Sequence, residues 1–180
     1  MDLEAAWYED DSWRGYLLIE PIHSLLDRHV FVTWLAGFEH YADGQDESFN
    51  PGSPLALVPE PDNPHDPAAV GVWNGDRTLM AGHLPHVIVR ELTVAHREGL
   101  VMWEQRAGGL RVGVGVLVSR EQVTLKLVTI TVADAVRRVR RMPHTKGHIP
   151  TASFDPVAQM EQMALALRKL KAARRGGPGD

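Results

Sequence analysis

The sequence predicts a mainly β protein with helices (α+β): six or so short strands rolled into a small barrel with one inserted helix, and a further helix at the C-terminus. Three observations carry that expectation. Short runs rich in β-branched and aromatic residues, bounded by Gly, Pro, Asn and Asp, recur from residue 29 to residue 132. Asn74-Gly75 lies between two such runs, the strongest local hairpin signal. Between residues 85 and 99 the apolar spacing changes to that of a helix, which a β-sandwich would not ordinarily hold.

In chain order, residues 1–27 read as an acidic arm with four aromatics, Trp7, Tyr8, Trp13 and Tyr16. Residues 29–37 (HVFVTWLAG) read as a strand ending at Gly37, and 42–54 as a polar, acidic loop. Strands are expected at 55–58, 69–73 and 78–83, the last two joined by Asn74-Gly75-Asp76. Pro85 suits a first helical turn, Ile88, Leu92 and Ala95 recur at helical spacing, and Gly99 suits the end. Strands follow at 100–105, 110–118 and 123–132. In the middle one Val112, Val114, Val116 and Val118 share a face, while Gly113 and Gly115 mark close approach on the other. The expected units are the arm (1–27), an OB-like barrel (28–132), a basic segment and linker (133–155), and an amphipathic helix with a basic tail (156–180). Val157, Met160, Met163, Ala164, Leu167 and Leu170 form that helix's apolar stripe, which fits packing on its own domain or a homo-oligomer.

Composition excludes several chemistries. The 180 residues contain no Cys, so disulfides, thiolate metal sites and Cys nucleophiles are absent. No signal-peptide pattern or membrane-length apolar run is present, and the expected setting is cytoplasmic, with no membrane partner. Charge is divided: residues 1–80 carry 3 Lys/Arg against 15 Asp/Glu, and residues 81–180 carry 16 against 8. A polyanion is therefore drawn to the second half and repelled by the first.

Asn63-Pro64-His65-Asp66-Pro67 taken alone is turn chemistry. With Ala68-Ala69-Val70-Gly71-Val72 directly after it and Gly82-His83-Leu84-Pro85 beyond the next hairpin, it resembles the HIRAN domain over about residues 29–120. The resemblance implies an OB-like barrel that binds single-stranded DNA at a free 3′-hydroxyl end. It also implies service in DNA repair or replication beside a separate ATPase, helicase or nuclease partner, with no cofactor or metal. Asp66 can accept a hydrogen bond from a terminal hydroxyl while repelling a continuing phosphate. His83 is expected to donate to the last phosphodiester, with His86 on the same turn and His65 as further DNA-binding candidates. Trp103 either stacks a base or fills the barrel. Phe38, His40 and Tyr41 can each offer a ring, whereas Glu39 would repel phosphate if it lined the groove.

Two other readings are open. In one, His65, Asp66, His83 and His86 converge on a metal to hydrolyse a phosphodiester, although no helical i, i+4 ligand pair or obvious general base accompanies them. His144 and His148 read as linker residues. Alternatively the barrel is inert and the Met-rich terminal helix docks on a protein partner.

Overall fold

The alternation of acids with small apolar residues in the first nine positions builds an edge of the sheet. In the computed structural model, which describes residues 1–20, 22–92 and 98–129, β1 (Asp2–Glu9) turns Leu3, Ala5 and Ala6 inward and Asp2, Glu4 and Glu9 to solvent. A tight turn leads into β2 (Trp13–Leu18), and Asp10 Oδ1 caps it by accepting the N–H groups of Ser12 and Trp13, both at 2.8 Å. The acidic arm is thus a hairpin built into the sheet, where β2 pairs with a later strand. After α1 (Ile22–Asp27) come β3 (Phe31–Trp34), three successive 3₁₀ turns between Phe38 and Phe49, β4 (Pro54–Pro59), β5 (Val70–Asn74) and β6 (Met80–His83). Then follow α2 (His86–Val89), β7 (Glu98–Ala107), β8 (Leu110–Ser119) and β9 (Thr124–Leu127).

The sheet has nine strands rather than six, in the order β6-β5-β4-β7-β2-β1-β9, with β8 on the other edge of β7 and β3 beyond it. It does not close into a barrel. Two of the added strands come from the arm, whose acids lie on its solvent face. The long β7 gives one edge wholly to β8 and shares the other between β4 (at Glu98, Gly99 and Leu100) and β2 (at Trp103, Glu104 and Gln105). Its register shifts between Val101 and Trp103, a bulge that bends the strand between these two partners. At the open side β3 and β6 meet at one bridge, where Ala36 and His83 exchange backbone hydrogen bonds of 2.8 and 3.0 Å.

Two local expectations change. The predicted helix over 85–99 is one turn long among the described residues, burying Ile88, and Gly99 lies within β7 opposite Leu55 and Val118. The β5–β6 hairpin exists, but its turn is longer than Asn74-Gly75: Asn74 Oδ1 accepts the N–H groups of Thr78 and Leu79, and Arg77 takes φ 62°. The basic segment and linker at 133–155, with His144 and His148, and the expected helix at 156–180 lie outside the described residues.

An aromatic cluster fills the core under β8. Trp103 is 2% exposed, its ring centroid 4.0 Å from that of Trp34 and 5.7 Å from that of Trp13. Any Cβ on Gly115 would overlap the Trp103 ring, and one on Gly113 would come within 2.8 Å of Trp34. The glycines of β8 therefore admit indole rings. Trp103 is core and cannot stack a base, and Phe38, 4% exposed with its ring edge over Gly44, cannot either.

Buried with these rings is a charged group. Glu104, with no exposed side-chain surface, accepts from Arg14 Nε and Arg111 Nε at 2.5 Å each, and Arg106 Nε lies 3.2 Å away. Arg111 also donates to the carbonyls of Gly44 and Asp46 and, at 2.6 Å, to Asn50 Oδ1. Gln45 and Arg111 exchange two more bonds, from Gln45 Nε2 to the Arg111 carbonyl and from the Arg111 N–H to Gln45 Oε1. The segment expected as an open acidic loop is thereby pinned to β8. Trp103→Ala is expected to lower unfolding free energy by about 3–5 kcal/mol, the range for emptying an aromatic core site. Thermal or denaturant unfolding reads it; unchanged stability would return Trp103 to the surface.

Candidate nucleic-acid site

The two sequence motifs come together at the open side of the sheet, each residue for a local reason. Gly82 (φ 147°) lets β6 approach β3: a Cβ there would sit 2.8 Å from the Ala36 carbonyl oxygen and break the bridge. That bridge sets His83. Leu84 is buried and its N–H donates to the Val70 carbonyl, while Pro85 begins α2 and its carbonyl accepts the N–H groups of Ile88 and Val89. In the other motif Asn63 Oδ1 accepts the N–H groups of His65 (3.0 Å) and Asp66 (3.3 Å), and Asp66 Oδ1 accepts that of Ala68 (2.9 Å).

A chain of side-chain hydrogen bonds links the motifs. Tyr41 Oη lies 3.3 Å from His83 Nδ1, and His83 Nε2 lies 3.0 Å from Glu60 Oε2. That oxygen also accepts from Asn63 Nδ2 at 2.9 Å. Asn63 Oδ1 accepts the Asp66 backbone N–H, and the Asp66 side chain extends the chain, its Oδ2 lying 3.1 Å from His86 Nδ1. The simplest proton arrangement has Tyr41 O–H donating to Nδ1 and Nε2–H donating to Glu60. Both ring nitrogens of His83 are therefore engaged inside the protein. The expected donation from His83 to a phosphodiester has no free N–H to make it, so His83 positions Tyr41 and Glu60 instead.

The carboxyls differ in setting but agree in charge. Burial pushes the Glu60 carboxyl up, yet the hydrogen bonds from Asn63 and His83 outweigh it and leave it below its ordinary value. The Ala68 N–H holds Asp66 low, helped by His86 and Arg90 against a smaller effect of burial. Burial and the Glu60 charge raise the Tyr41 hydroxyl, so it remains protonated. The stabilisation from the two lowered carboxyls is present above about pH 4 and is lost as pH falls through their folded values.

The remaining candidates sit apart from the chain. His65 is exposed and its backbone alone joins the turn. His40 and Glu39 are exposed neighbours 3.6 Å apart, with 77% and 71% of their side-chain surfaces open. Two participants had not been singled out from sequence. Glu60 precedes the turn, and its signal was an acid one hairpin away from His83. Trp73 is half-buried, its Nε1 has no hydrogen-bond partner, and both that atom and Glu60 Oε1 close over Gly71, within 2.9 and 2.6 Å of where a Cβ would be. His65, Asp66, His83 and His86 do not converge on a common point: Asp66 pairs with His86, His83 pairs with Glu60, and His65 belongs to neither pair. Among the described residues no three His, Asp or Glu groups are arranged to hold a metal ion.

Asn63→Ala removes the bonds to His65, Asp66 and Glu60 together. A loss of about 1–3 kcal/mol is expected in denaturant unfolding, the cost of orphaning partly buried partners; an unchanged midpoint would mean the chain does not hold the turn.

The family model for the HIRAN domain matches residues 29–106. No curated protein matches the chain. Among solved structures it is similar to the crystal structure of the HIRAN domain of human HLTF, at 19% identity and a TM-score of 0.35, covering 49% of this chain and 74% of that one. The matched stretch contains the whole hydrogen-bonded chain from Tyr41 to His86. Residues 29–106 are a HIRAN domain, a type of binding module whose homology points to DNA.

Proposed function

We propose that this chain is a non-catalytic module that binds single-stranded DNA at a free 3′-hydroxyl end, in DNA repair, replication or related processing. The observation that carries the reading is the HIRAN match over the very residues that join the two turns. Asp66 is the end sensor. Its side chain is 41% exposed and its carboxyl stays ionised at neutral pH, so it accepts from a terminal hydroxyl and repels a phosphate that continues the strand. With Trp103 and Phe38 in the core, Tyr41 remains from the sequence candidates as a base platform and Trp73 joins it from the structure; His40 and His65 are exposed enough to add to them.

Affinity for phosphate needs cations, and the domain is short of them. Residues 1–129 carry 9 Lys/Arg against 19 Asp/Glu, whereas residues 130–180 carry 10 against 4. In this reading the domain supplies end selectivity and the C-terminal stretch supplies most of the sequence-independent attraction.

Fluorescence anisotropy at pH 8 with single strands ending in a 3′-hydroxyl or a 3′-phosphate, and with blunt duplex, tests the proposal. The 3′-hydroxyl strand should bind at least tenfold tighter than either competitor, and Asp66→Asn should remove the preference between the two ends. Equal affinity for both ends would sink the end-sensing role. Replacing Arg137, Arg138, Arg140 and Arg141 by Gln should flatten the salt dependence by up to about 0.7 per cation lost while leaving the end preference intact. An unaltered slope would place the phosphate contacts elsewhere.

A further inference from the structure

Asp66 does not face solvent alone. Its Oδ2 lies 3.1 Å from His86 Nδ1, and the two side chains are 41% and 49% exposed, so both are open to whatever occupies the site. Arg90, at the end of the same helical turn as His86, adds a positive charge that acts on the Asp66 carboxyl. Glu60 and His83 lie across Asn63, bonded to one another rather than to this pair, so the groups in direct contact with Asp66 here are His86 and, through its charge, Arg90. An imidazole is the ordinary side chain that changes charge between pH 5 and 8. The charge in direct contact with the Asp66 carboxylate therefore changes with the protonation of the His86 ring.

We propose that His86 decides which 3′ end this site accepts: neutral, it leaves the Asp66 carboxylate to exclude a terminal phosphate, and protonated, it offsets that carboxylate and pairs with the phosphate. The specificity is thus conditional, for a 3′-hydroxyl in mildly basic solution and for either end in mildly acidic solution. The inference rests on the end-binding reading above, but concerns a residue that the reading does not need. Asp66 remains charged throughout, because its carboxyl is held below its ordinary range. A simple loss of the carboxylate charge therefore cannot produce the change.

The test measures the affinity ratio of 3′-hydroxyl to 3′-phosphate strands at pH 8.5 and 5.5 for the full chain, His86→Gln and His86→Lys. A terminal phosphate itself titrates near pH 6, so the variants are the controls that separate its contribution from that of the ring. The unsubstituted chain should favour the hydroxyl end about tenfold or more at pH 8.5 and lose most of that preference at pH 5.5. His86→Gln should keep the preference at both values, apart from the phosphate's own titration. His86→Lys, cationic at both, should accept the 3′-phosphate at both. If the unsubstituted chain and His86→Gln narrow equally, or His86→Lys still rejects the phosphate at pH 8.5, the inference is overturned while end binding stands. If no single strand binds at any pH, both fall. Because His86 is half exposed, the glutamine and lysine variants should unfold at the same denaturant midpoint as the unsubstituted chain, and a shifted midpoint would count against a purely electrostatic role.

Discussion

The arrangement around the candidate site depends on one buried ion pair, Arg111 with Glu104, whose side chains are 4% and 0% exposed. Removing one member of a buried pair typically costs about 3–5 kcal/mol, because the other is left charged and dry, whereas an exposed pair such as His40 with Glu39 contributes at most about 1 kcal/mol. Magnitude therefore assigns the organising role to Glu104. Its partners come from β2, β7 and β8, and Arg111 goes on to grip the carbonyls of Gly44 and Asp46 and the side chain of Asn50. A segment rich in Asp and Gly, whose apolar anchors are Phe38 and Phe49, is held between them by hydrogen bonds to a cation paired with a buried carboxylate.

That anchoring reaches the site through a short path. The three 3₁₀ turns bury Phe38 and Phe49 at their two ends, and Tyr41 between the first and second is brought to 3.3 Å from His83. From the opposite side Gly82 brings β6 to the same place by allowing the single bridge to Ala36. Among the described residues, the open side of the sheet is joined by the Ala36–His83 bridge and the Tyr41–His83 contact rather than by a continuous strand ladder. Near that gap the half-buried Trp73 keeps its indole N–H buried without a hydrogen-bond partner.

What was legible in the sequence is what acts locally. Asn63 and Asp66 bond backbone groups within three residues, so turn chemistry alone placed them. Gly113 and Gly115 announced a close approach, yet alternation could not say that indole rings from β3 and β7 would fill the space, and so Trp103 stood between core and surface. Glu60 meets His83 from 23 residues away, and Arg111 meets the Gly44 carbonyl from 67. Neither partner carries a local mark. The first strand was obscured for a different reason: acids dominate the composition of the arm, but Asp2 and Glu4 occupy only the outward half of a period-two pattern whose inward half, Leu3 and Ala5, packs into the sheet.

The division of charge then bears on how such a site would select. A protein that held a strand by its phosphates would gain affinity at every internal position and lose any distinction between the end and the middle. A balance of −10 over residues 1–129 gives phosphate little general attraction, and in the proposed reading the domain favours a nucleotide that brings a donor to an acceptor. In the proposed reading, the acidic surface that makes this domain a poor general DNA binder is what lets Asp66 act as a discriminator. The cations of residues 130–180 can raise local concentration without touching the comparison between ends, since both ends carry the same upstream phosphates. Attraction and selection are then separate properties of separate stretches, and a histidine set against the selecting carboxylate can alter one without the other.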